Sequence, residues 1–197
     1  MENSSSPNNN PAKIIVLRWG HRVQRDMRLT THVALTARAL GASGFILADV
    51  ADNHIEETVT KITTVWGGSF NFEMAVPWKS AVRKWKNNSG IIVHLTAYGE
   101  NIQTSDVMNR IKAQDKDVML LMGSQKVPGE FYSEEVSDFN VAVGNQPHSE
   151  CSALAIFLDR YFGGQELDKP FEKAKISIIP KERGKEIKTN IEFRKPV

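Results

Sequence analysis

Short apolar runs alternate with amphipathic stretches along most of this chain of 197 residues. The apolar runs are typical of β-strands that are buried on both faces, as in a parallel sheet. They cover residues 14–17, 45–47, 70–76, 91–95, 118–122 and 140–143. Four other stretches have the apolar spacing of a helix, and they cover residues 30–40, 55–66, 77–85 and 149–162. This alternation predicts an α/β domain with a mainly parallel sheet.

The two ends of the chain depart from this pattern. Residues 1–11 are rich in Ser, Asn and Pro and have no apolar run, which predicts a flexible leader over residues 1–12 rather than a secretory signal. Near the C-terminus, residues 175–179 and 187–193 flank a turn that contains Pro and Gly, and this predicts a β-hairpin. We therefore expect one domain over residues 13–164 and a C-terminal extension with a β-hairpin over residues 165–197.

Composition narrows the class of protein. Hydrophobic residues make up 41% of the chain and charged residues 24%, which is the balance of an ordinary folded domain. No run approaches the roughly 18 apolar residues that a membrane-spanning helix needs. The single cysteine, Cys151, excludes an intramolecular disulfide framework, and the five histidines lack the spacing of metal ligands. We expect no metal site, no membrane partner and a reducing, cytoplasmic location.

The net charge of +2 conceals two basic ends. Residues 13–38 contain six basic residues against one acid, and residues 165–197 contain nine against six. Four arginines follow the first predicted strand: Arg18, Arg22, Arg25 and Arg28. Arginine makes planar, bidentate contacts with phosphate, so these side chains are candidates for contact with an RNA backbone. The alternative is an ordinary solvated face with Asp26 as an internal partner.

Three loops follow predicted strands at residues 94–99, 123–128 and 143–150. In an open parallel sheet, ligands bind beyond the carboxyl ends of the strands, which is where these loops are expected to lie. None of them has the glycine spacing of a dinucleotide-binding motif or of a P-loop. Each loop alone is compatible with an ordinary turn, whereas three in one small sheet favour a ligand site.

Four sequence strings carry a more specific resemblance. They are Leu17-Arg-Trp-Gly-His-Arg22, Arg25-Asp-Met-Arg-Leu-Thr-Thr-His-Val33, His94-Leu-Thr-Ala-Tyr-Gly99 and Gly144-Asn-Gln-Pro-His-Ser-Glu150. In this order they resemble the archaeal tRNA (cytidine-56) 2′-O-ribose methyltransferases, a family of the SPOUT superfamily. The resemblance extends from Ile14 to the predicted hairpin. It implies an enzyme that uses S-adenosyl-L-methionine (AdoMet) to methylate the ribose 2′-hydroxyl of cytidine 56 in tRNA.

The resemblance also implies an architecture and a cofactor site. It implies a SPOUT-type parallel sheet with a C-terminal deep trefoil knot, which the apolar pattern alone does not predict because chains almost never thread their own loops. It further implies a homodimer with the AdoMet pocket at the subunit interface. The implied AdoMet-binding residues are Leu95, Thr96, Gly123, Ser124, Gln125, Lys126, Val127, Val143, Gly144, Asn145, Gln146, Pro147, His148, Ser149 and Glu150. The family's second motif has glutamate where this chain has Gln125, so a carboxylate is missing at that position.

The first motif of SPOUT ribose methyltransferases implies a catalytic arginine, for which Arg22, Arg25 and Arg28 are the candidates. Arginine stays protonated and is a poor general base. We therefore expect it to orient the phosphate and the ribose, while a phosphate oxygen assists removal of the hydroxyl proton. Two alternatives remain open: a SPOUT methyltransferase that acts on another RNA nucleotide, or a non-catalytic RNA-binding module of the same fold.

Overall fold

A six-stranded sheet with helices on both faces forms the body of the protein, for which a computed structural model describes residues 12–190. Its strands are β1 (Ile14–Trp19), β2 (Gly44–Ala48), β3 (Asn71–Val76), β4 (Ile91–Asn101), β5 (Val118–Gly123) and β6 (Phe139–Ala142). Its helices are α1 (Val23–Ala39), α2 (Asn53–Trp66), α3 (Trp78–Asn87), α4 (Val107–Lys112) and α5 (Glu150–Phe162). Two short 3-10 helices cover Gly129–Tyr132 and Gln165–Asp168.

All strands of the sheet are parallel, in the order β3-β2-β1-β5-β4-β6. Helices α1, α2, α4 and α5 bury their apolar residues against one face, and α3 with the first 3-10 helix covers the other face. The central strands β1 and β5 are almost wholly buried, which explains their continuous apolar runs. The mainly parallel α/β sheet predicted from the sequence is confirmed.

Several element boundaries differ from the predictions. Helix α1 begins at Val23, seven residues before the predicted start, because the turn that follows Arg22 is held by an ion pair with Asp26 rather than by apolar periodicity. Helix α4 was not predicted, since its six residues present only Val107 and Ile111 to the core. The predicted leader lies outside the described residues, apart from Ala12.

The C-terminal extension contains the predicted hairpin, formed by β7 (Ile176–Ile178) and β8 (Ile187–Thr189). The end of its predicted second strand lies outside the described residues. The extension joins the domain through the backbone of residues 65–68, where the N–H of Gly68 donates to the carbonyl of Glu172 at 2.7 Å. A Cβ on Gly67 would overlap the backbone of Glu172 and Ala174, so only glycine permits this approach. None of the helices within residues 12–190 has the length and apolar character to cross a membrane.

Candidate active site

Three loops meet at one edge of the sheet and partly enclose a cavity of about 150 Å³. The loops follow β5, β4 and β6, which are neighbours in the sheet and parallel, so their carboxyl ends lie together. The β4–β6 register shifts between Leu95 and Glu100, and this irregularity gives the first loop its shape. The cavity is lined by Leu95, Thr96, Ala97, Met122, Gly123, Val141, Val143, Gly144, Gln146, Pro147, His148, Glu150 and Ala153.

Most of the residues predicted to bind the cofactor line this cavity. Those that do not are Ser124, Gln125, Lys126, Val127, Asn145 and Ser149. Conversely, the cavity includes four small or apolar residues that were not predicted: Ala97, Met122, Val141 and Ala153. The loops are predictable because ligands of parallel sheets bind beyond the carboxyl ends of the strands. The wall residues that come from the strands and from α5 are not, because their positions depend on how those elements pack.

Asn145 ties the third loop to the first. Its Nδ2 donates to the carbonyl oxygens of Ala97 and Gly99 at 2.9 and 3.2 Å, and its Oδ1 accepts from Nδ2 of Asn101 at 2.9 Å. Ser149 holds the other end of the same loop, because its side chain accepts from the N–H of Cys151 and caps α5. These residues position the loops without lining the cavity.

Glycine is required in two of these loops for different reasons. A Cβ on Gly123 would overlap the side chain of Val127, so the second loop folds tightly only with glycine. Gly144 has φ +73°, and a Cβ there would meet no atom of the described chain within 4 Å. The third loop therefore presents bare backbone to the cavity at Gly144.

Gln125, where the resemblance implies a glutamate, does not line the cavity. Its side chain lies against Gly20, where a Cβ would be 3.0 Å from Cγ of Gln125. The N–H of Ser124 donates to the carbonyl of Trp19 at 2.9 Å and fixes the second loop at the same place. In this arrangement, position 125 packs on the turn between β1 and α1.

A chain of buried hydrogen bonds lies behind the cavity, between β1, α1 and α2. Nε of Arg18 donates to Oγ1 of Thr30 at 3.0 Å, and Oγ1 lies 2.9 Å from Nδ1 of His21. Nε2 of His21 lies 3.0 Å from Oδ2 of Asp52. Arginine can only donate, so the Thr30 hydroxyl accepts from Nε of Arg18, and the His21 ring bridges Thr30 and Asp52.

Arg18 links this buried chain to the cavity. Its side chain is completely buried, and Nη2 forms an ion pair with Oε1 of Glu150 at 3.4 Å. Burial lowers the pKa of Arg18, and the negative charge of Glu150 opposes that effect. Since Glu150 also lines the cavity, Arg18 holds the only carboxylate among the cavity's lining residues.

The three arginines predicted as catalytic have different surroundings. Nε and Nη2 of Arg22 bind both carboxylate oxygens of Asp26, at 2.8 and 2.9 Å. The hydrogen bond from Arg22 is the main reason that the pKa of Asp26 falls to about 2. Arg25 and Arg28 are exposed, and Arg28 lines a separate groove between α1 and α2 with His32 and His54.

The imidazoles beside the cavity are held in place by other groups. Nε2 and Nδ1 of His148 lie 2.6 and 3.1 Å from the carbonyl oxygens of Val143 and Ser149. His94 is buried behind the first loop, and burial lowers its pKa despite a hydrogen bond with Asn140. Both ring nitrogens of His148 and Nδ1 of His94 are thus engaged by other groups. Within residues 12–190, no group of three or more His, Cys, Asp or Glu side chains can hold a metal ion.

Known proteins share this sequence over most of its length. The profile of a family described as "tRNA ribose 2′-O-methyltransferase, aTrm56" matches residues 66–188. The tRNA (cytidine(56)-2′-O)-methyltransferase of Staphylothermus marinus is 49% identical over 176 residues, which are 89% of this chain and 92% of that protein. The proteins of the same name from Thermococcus kodakarensis and Methanocaldococcus jannaschii are 52% and 51% identical, over 88% and 86% of this chain and 96% and 93% of theirs. The chain belongs to this family.

Solved structures show that this tRNA ribose 2′-O-methyltransferase family member shares a known fold. The SpoU methyltransferase AviRb from Streptomyces viridochromogenes, in complex with AdoMet, matches with TM-score 0.55 and 16% identity. That match covers 81% of this chain and 60% of AviRb. The TrmH/SpoU tRNA modifying enzyme of A. aeolicus matches with TM-score 0.53 and 15% identity, over 81% of this chain and 78% of that enzyme. The predicted family and α/β fold class are therefore confirmed.

Sequence reasoning missed the buried support of the site. The sequence placed Arg18 among the candidates for contact with an RNA backbone, which is wrong because its side chain is completely buried. It offered His21 only as one of five histidines without metal-ligand spacing, and it drew no attention to Asp52. The available signal was a charged residue inside the otherwise apolar first strand, because a charge is buried only when partners satisfy it. Those partners come from α1, α2 and α5, and no local pattern identifies them.

Proposed function

We propose that this protein transfers a methyl group from AdoMet to the ribose 2′-hydroxyl of cytidine 56 in tRNA. Relatives named for this activity match at least 86% of the chain, so most of the described domain is common to them. The observation that carries the proposal is the cavity where the loops after β4, β5 and β6 meet. It lies where ligands of parallel sheets bind, and most of the loop residues implied by the family line it.

AdoMet fits the chemical character of this cavity. The apolar side chains of Leu95, Met122 and Val141 suit the adenine and the methionine chain, and the carboxylate of Glu150 suits the positive charge of the sulfonium. When bound, AdoMet supplies a methyl group activated by that sulfonium. The cavity of about 150 Å³ is smaller than the ~300 Å³ of typical small-molecule sites. The exposed residues 144–149 and a second subunit are proposed to cover the remainder.

Among the three candidate arginines, we assign the catalytic role to Arg22. Its hydrogen bond to Asp26 raises the pKa of Arg22, and Arg22 immediately precedes α1 in the turn after β1, the strand that also carries Arg18. Asp26 occupies Nε and Nη2 and thereby orients the guanidinium. Nη1 is then available to bind a phosphate or ribose oxygen of the tRNA.

Arg22 orients the ribose so that its 2′-oxygen approaches the methyl carbon in line, which is the main requirement of this transfer. As the bond between the 2′-oxygen and the methyl carbon formed, the bond between that carbon and the sulfonium sulfur would break, which leaves a neutral sulfide. The hydroxyl proton would pass to a phosphate oxygen that Arg22 holds. This division of roles agrees with the imidazoles beside the cavity, which are engaged elsewhere. Arg25 and Arg28 are exposed on the same helix and are proposed to contact the tRNA backbone.

We propose a homodimer in which a second copy covers apolar residues of α1 and α5. These helices pack on one another, yet Val23, Met27 and Ile156 remain 47%, 43% and 43% exposed. Neighbouring exposed apolar residues are typical of an interaction surface. Because α5 begins at the cavity with Glu150, a partner on this surface would lie close to the cofactor site.

The finer architecture is also a proposal. Strand β6 lies beside β4 and not beside β5, so the chain between β5 and β6 crosses β4, which supports a trefoil knot within residues 13–164. Residues 165–197 form the extension. A cytoplasmic location agrees with a tRNA substrate.

Labelled-methyl transfer to transcribed tRNA tests the function directly. With AdoMet carrying a labelled methyl group, we expect label in a nuclease-resistant linkage after cytidine 56, and none in a transcript with 2′-deoxycytidine at that position. Label at another nucleotide would show a related enzyme with a different target. Binding of tRNA without binding of AdoMet in calorimetry would show a non-catalytic module.

A further inference from the structure

Tyr98 stands at the tip of the first loop with its side chain 86% exposed, the highest value for a large hydrophobic residue within residues 12–190. It follows Thr96 and Ala97, which line the cavity, and its own N–H lies 3.4 Å from Oγ1 of Thr96, so its backbone borders the cavity wall. Exposed single apolar residues are common on proteins. An aromatic ring beside the site of an RNA-modifying reaction has a specific use, because unstacked bases bind to such rings.

The loop holds Tyr98 outward by contacts on both sides. Nδ2 of Asn145 binds the carbonyl oxygens of Ala97 and Gly99, the two neighbours of Tyr98. A Cβ on Gly99 would overlap the backbone of Val141, so the loop is pressed against β6. The exposed ring therefore stands on a fixed backbone.

Tyr132 provides a second aromatic ring next to Tyr98. The two ring centroids lie 6.5 Å apart with planes at 68°, and Tyr132 packs edge-on against His94 at 4.9 Å. The Tyr132 hydroxyl lies 3.2 Å from Oγ1 of Thr96, which also accepts from the N–H of Tyr98 at 3.4 Å. Tyr132 is thus anchored to the cavity wall, and one face of Tyr98 is left open.

We propose that the target cytosine stacks on the open face of Tyr98 when its ribose enters the cavity, with Tyr132 edge-on behind that ring. Tyr98 and Tyr132 together are the tyrosine platform. This inference rests on the proposed function and adds the contact that places the nucleotide. The ribose must reach the cavity edge at Thr96, and the attached base then lies beside the platform. Stacking tolerates every base, so the platform positions the nucleotide and does not select cytosine.

The test uses the full chain and tRNA that carries pyrrolocytidine at position 56, whose fluorescence falls when it stacks. We expect binding to quench this fluorescence, and Tyr98→Phe to retain the quenching. Tyr98→Ala is expected to abolish the quenching and to raise the KM for tRNA about tenfold, the loss of one base–aromatic stack. Leu167→Ala, which changes another exposed apolar residue in the C-terminal extension, serves as the matched control.

Thermal midpoint, AdoMet affinity and solution mass should be the same for both tyrosine variants and the wild type. Unchanged quenching and KM in Tyr98→Ala would overturn the platform. If this variant still transfers the labelled methyl group to cytidine 56, the proposed function is unaffected by that result. A fall in solution mass with Tyr98→Ala would also overturn it, because the ring would then contact a second copy of the chain. Absence of methyl transfer by the wild type would instead contradict the proposed function.

Discussion

Alanine substitutions at Gly144 and Gly163 can separate two effects of an added side chain, one on AdoMet binding and one on the strain of the backbone. Both residues have positive φ, +73° and +67°, and a Cβ on either would meet no atom within 4 Å. Only Gly144 lines the cavity, whereas Gly163 ends α5. Gly144→Ala and Gly163→Ala therefore introduce a similar strain, and only the first places a methyl group where the cofactor is proposed to lie.

The strain of alanine in this region is about 1 kcal/mol. For a chain of this length it should lower the thermal midpoint by about 2–4 °C in both variants. Overpacking against a bound ligand costs about 1–3 kcal/mol, which weakens binding by about 5- to 150-fold. We expect this loss of AdoMet affinity in Gly144→Ala and near wild-type affinity in Gly163→Ala.

Calorimetric titration with AdoMet and thermal melting of the free proteins measure the two effects separately. An equal fall in the thermal midpoint of the two variants is the internal control, since it shows that both backbones carry comparable strain. If Gly144→Ala binds AdoMet as tightly as Gly163→Ala does, the third loop does not approach the cofactor at this residue, and the proposed placement is wrong.

Three further predictions concern the ion pair, the arginines and the dimer. Asp26 has a pKa of about 2, against about 3.9 in an unfolded chain, so its ion pair stabilises above about pH 4 and is lost as the pH falls through about 2. Asp26→Asn should cost about 1 kcal/mol of unfolding free energy at pH 7, after solvent screening, and nothing near pH 2; a difference independent of pH in urea titrations would contradict this. Arg22→Ala should lower kcat with tRNA binding nearly preserved, and Arg22→Lys should not restore it. Arg25→Ala should instead weaken tRNA binding and reduce by about one the slope of log affinity against log salt concentration. Full activity in both alanine variants would show that these side chains only form a solvated face. Light scattering should give a mass near twice 22.1 kDa, and Ile156→Glu should reduce it to that of one chain; a wild-type monomer that is active at the same dilution would refute the dimer.

The sheet and the position of its ligand site follow from local sequence features. Strands such as β5 are short apolar runs because both of their faces are covered, and this pattern is visible without knowledge of the partners. Parallel strands place the loops that follow them at one edge, so the cavity's location is predictable from strand order alone. The family resemblance then identifies which of those loop residues bind the cofactor, and this remains a prediction for each residue.

Features that depend on distant partners could not be predicted in the same way. The first turn of α1 contains Arg22, Arg25 and Asp26 and shows no apolar spacing, so its helical structure depends on side-chain pairing. Arg18 ends an apolar run, which is a signal of burial, but the residues that satisfy its charge come from α1 and α5 and are not visible in the local sequence. Tyr98 follows the apolar part of β4, and its outward position depends on the β4–β6 register, which shifts between Leu95 and Glu100.

The ion pair between Arg18 and Glu150 also bears on the order in which the chain assembles. It joins residues 132 positions apart, and contacts between such distant residues form only after a long loop has closed. Proteins that depend on such contacts fold slowly. Because Glu150 begins α5 and lines the cavity, the proposed cofactor site is completed only when the last helix of the domain docks on the sheet. A newly synthesised chain therefore gains the capacity to bind AdoMet late in folding. AdoMet binding then distinguishes fully folded molecules from partly folded ones.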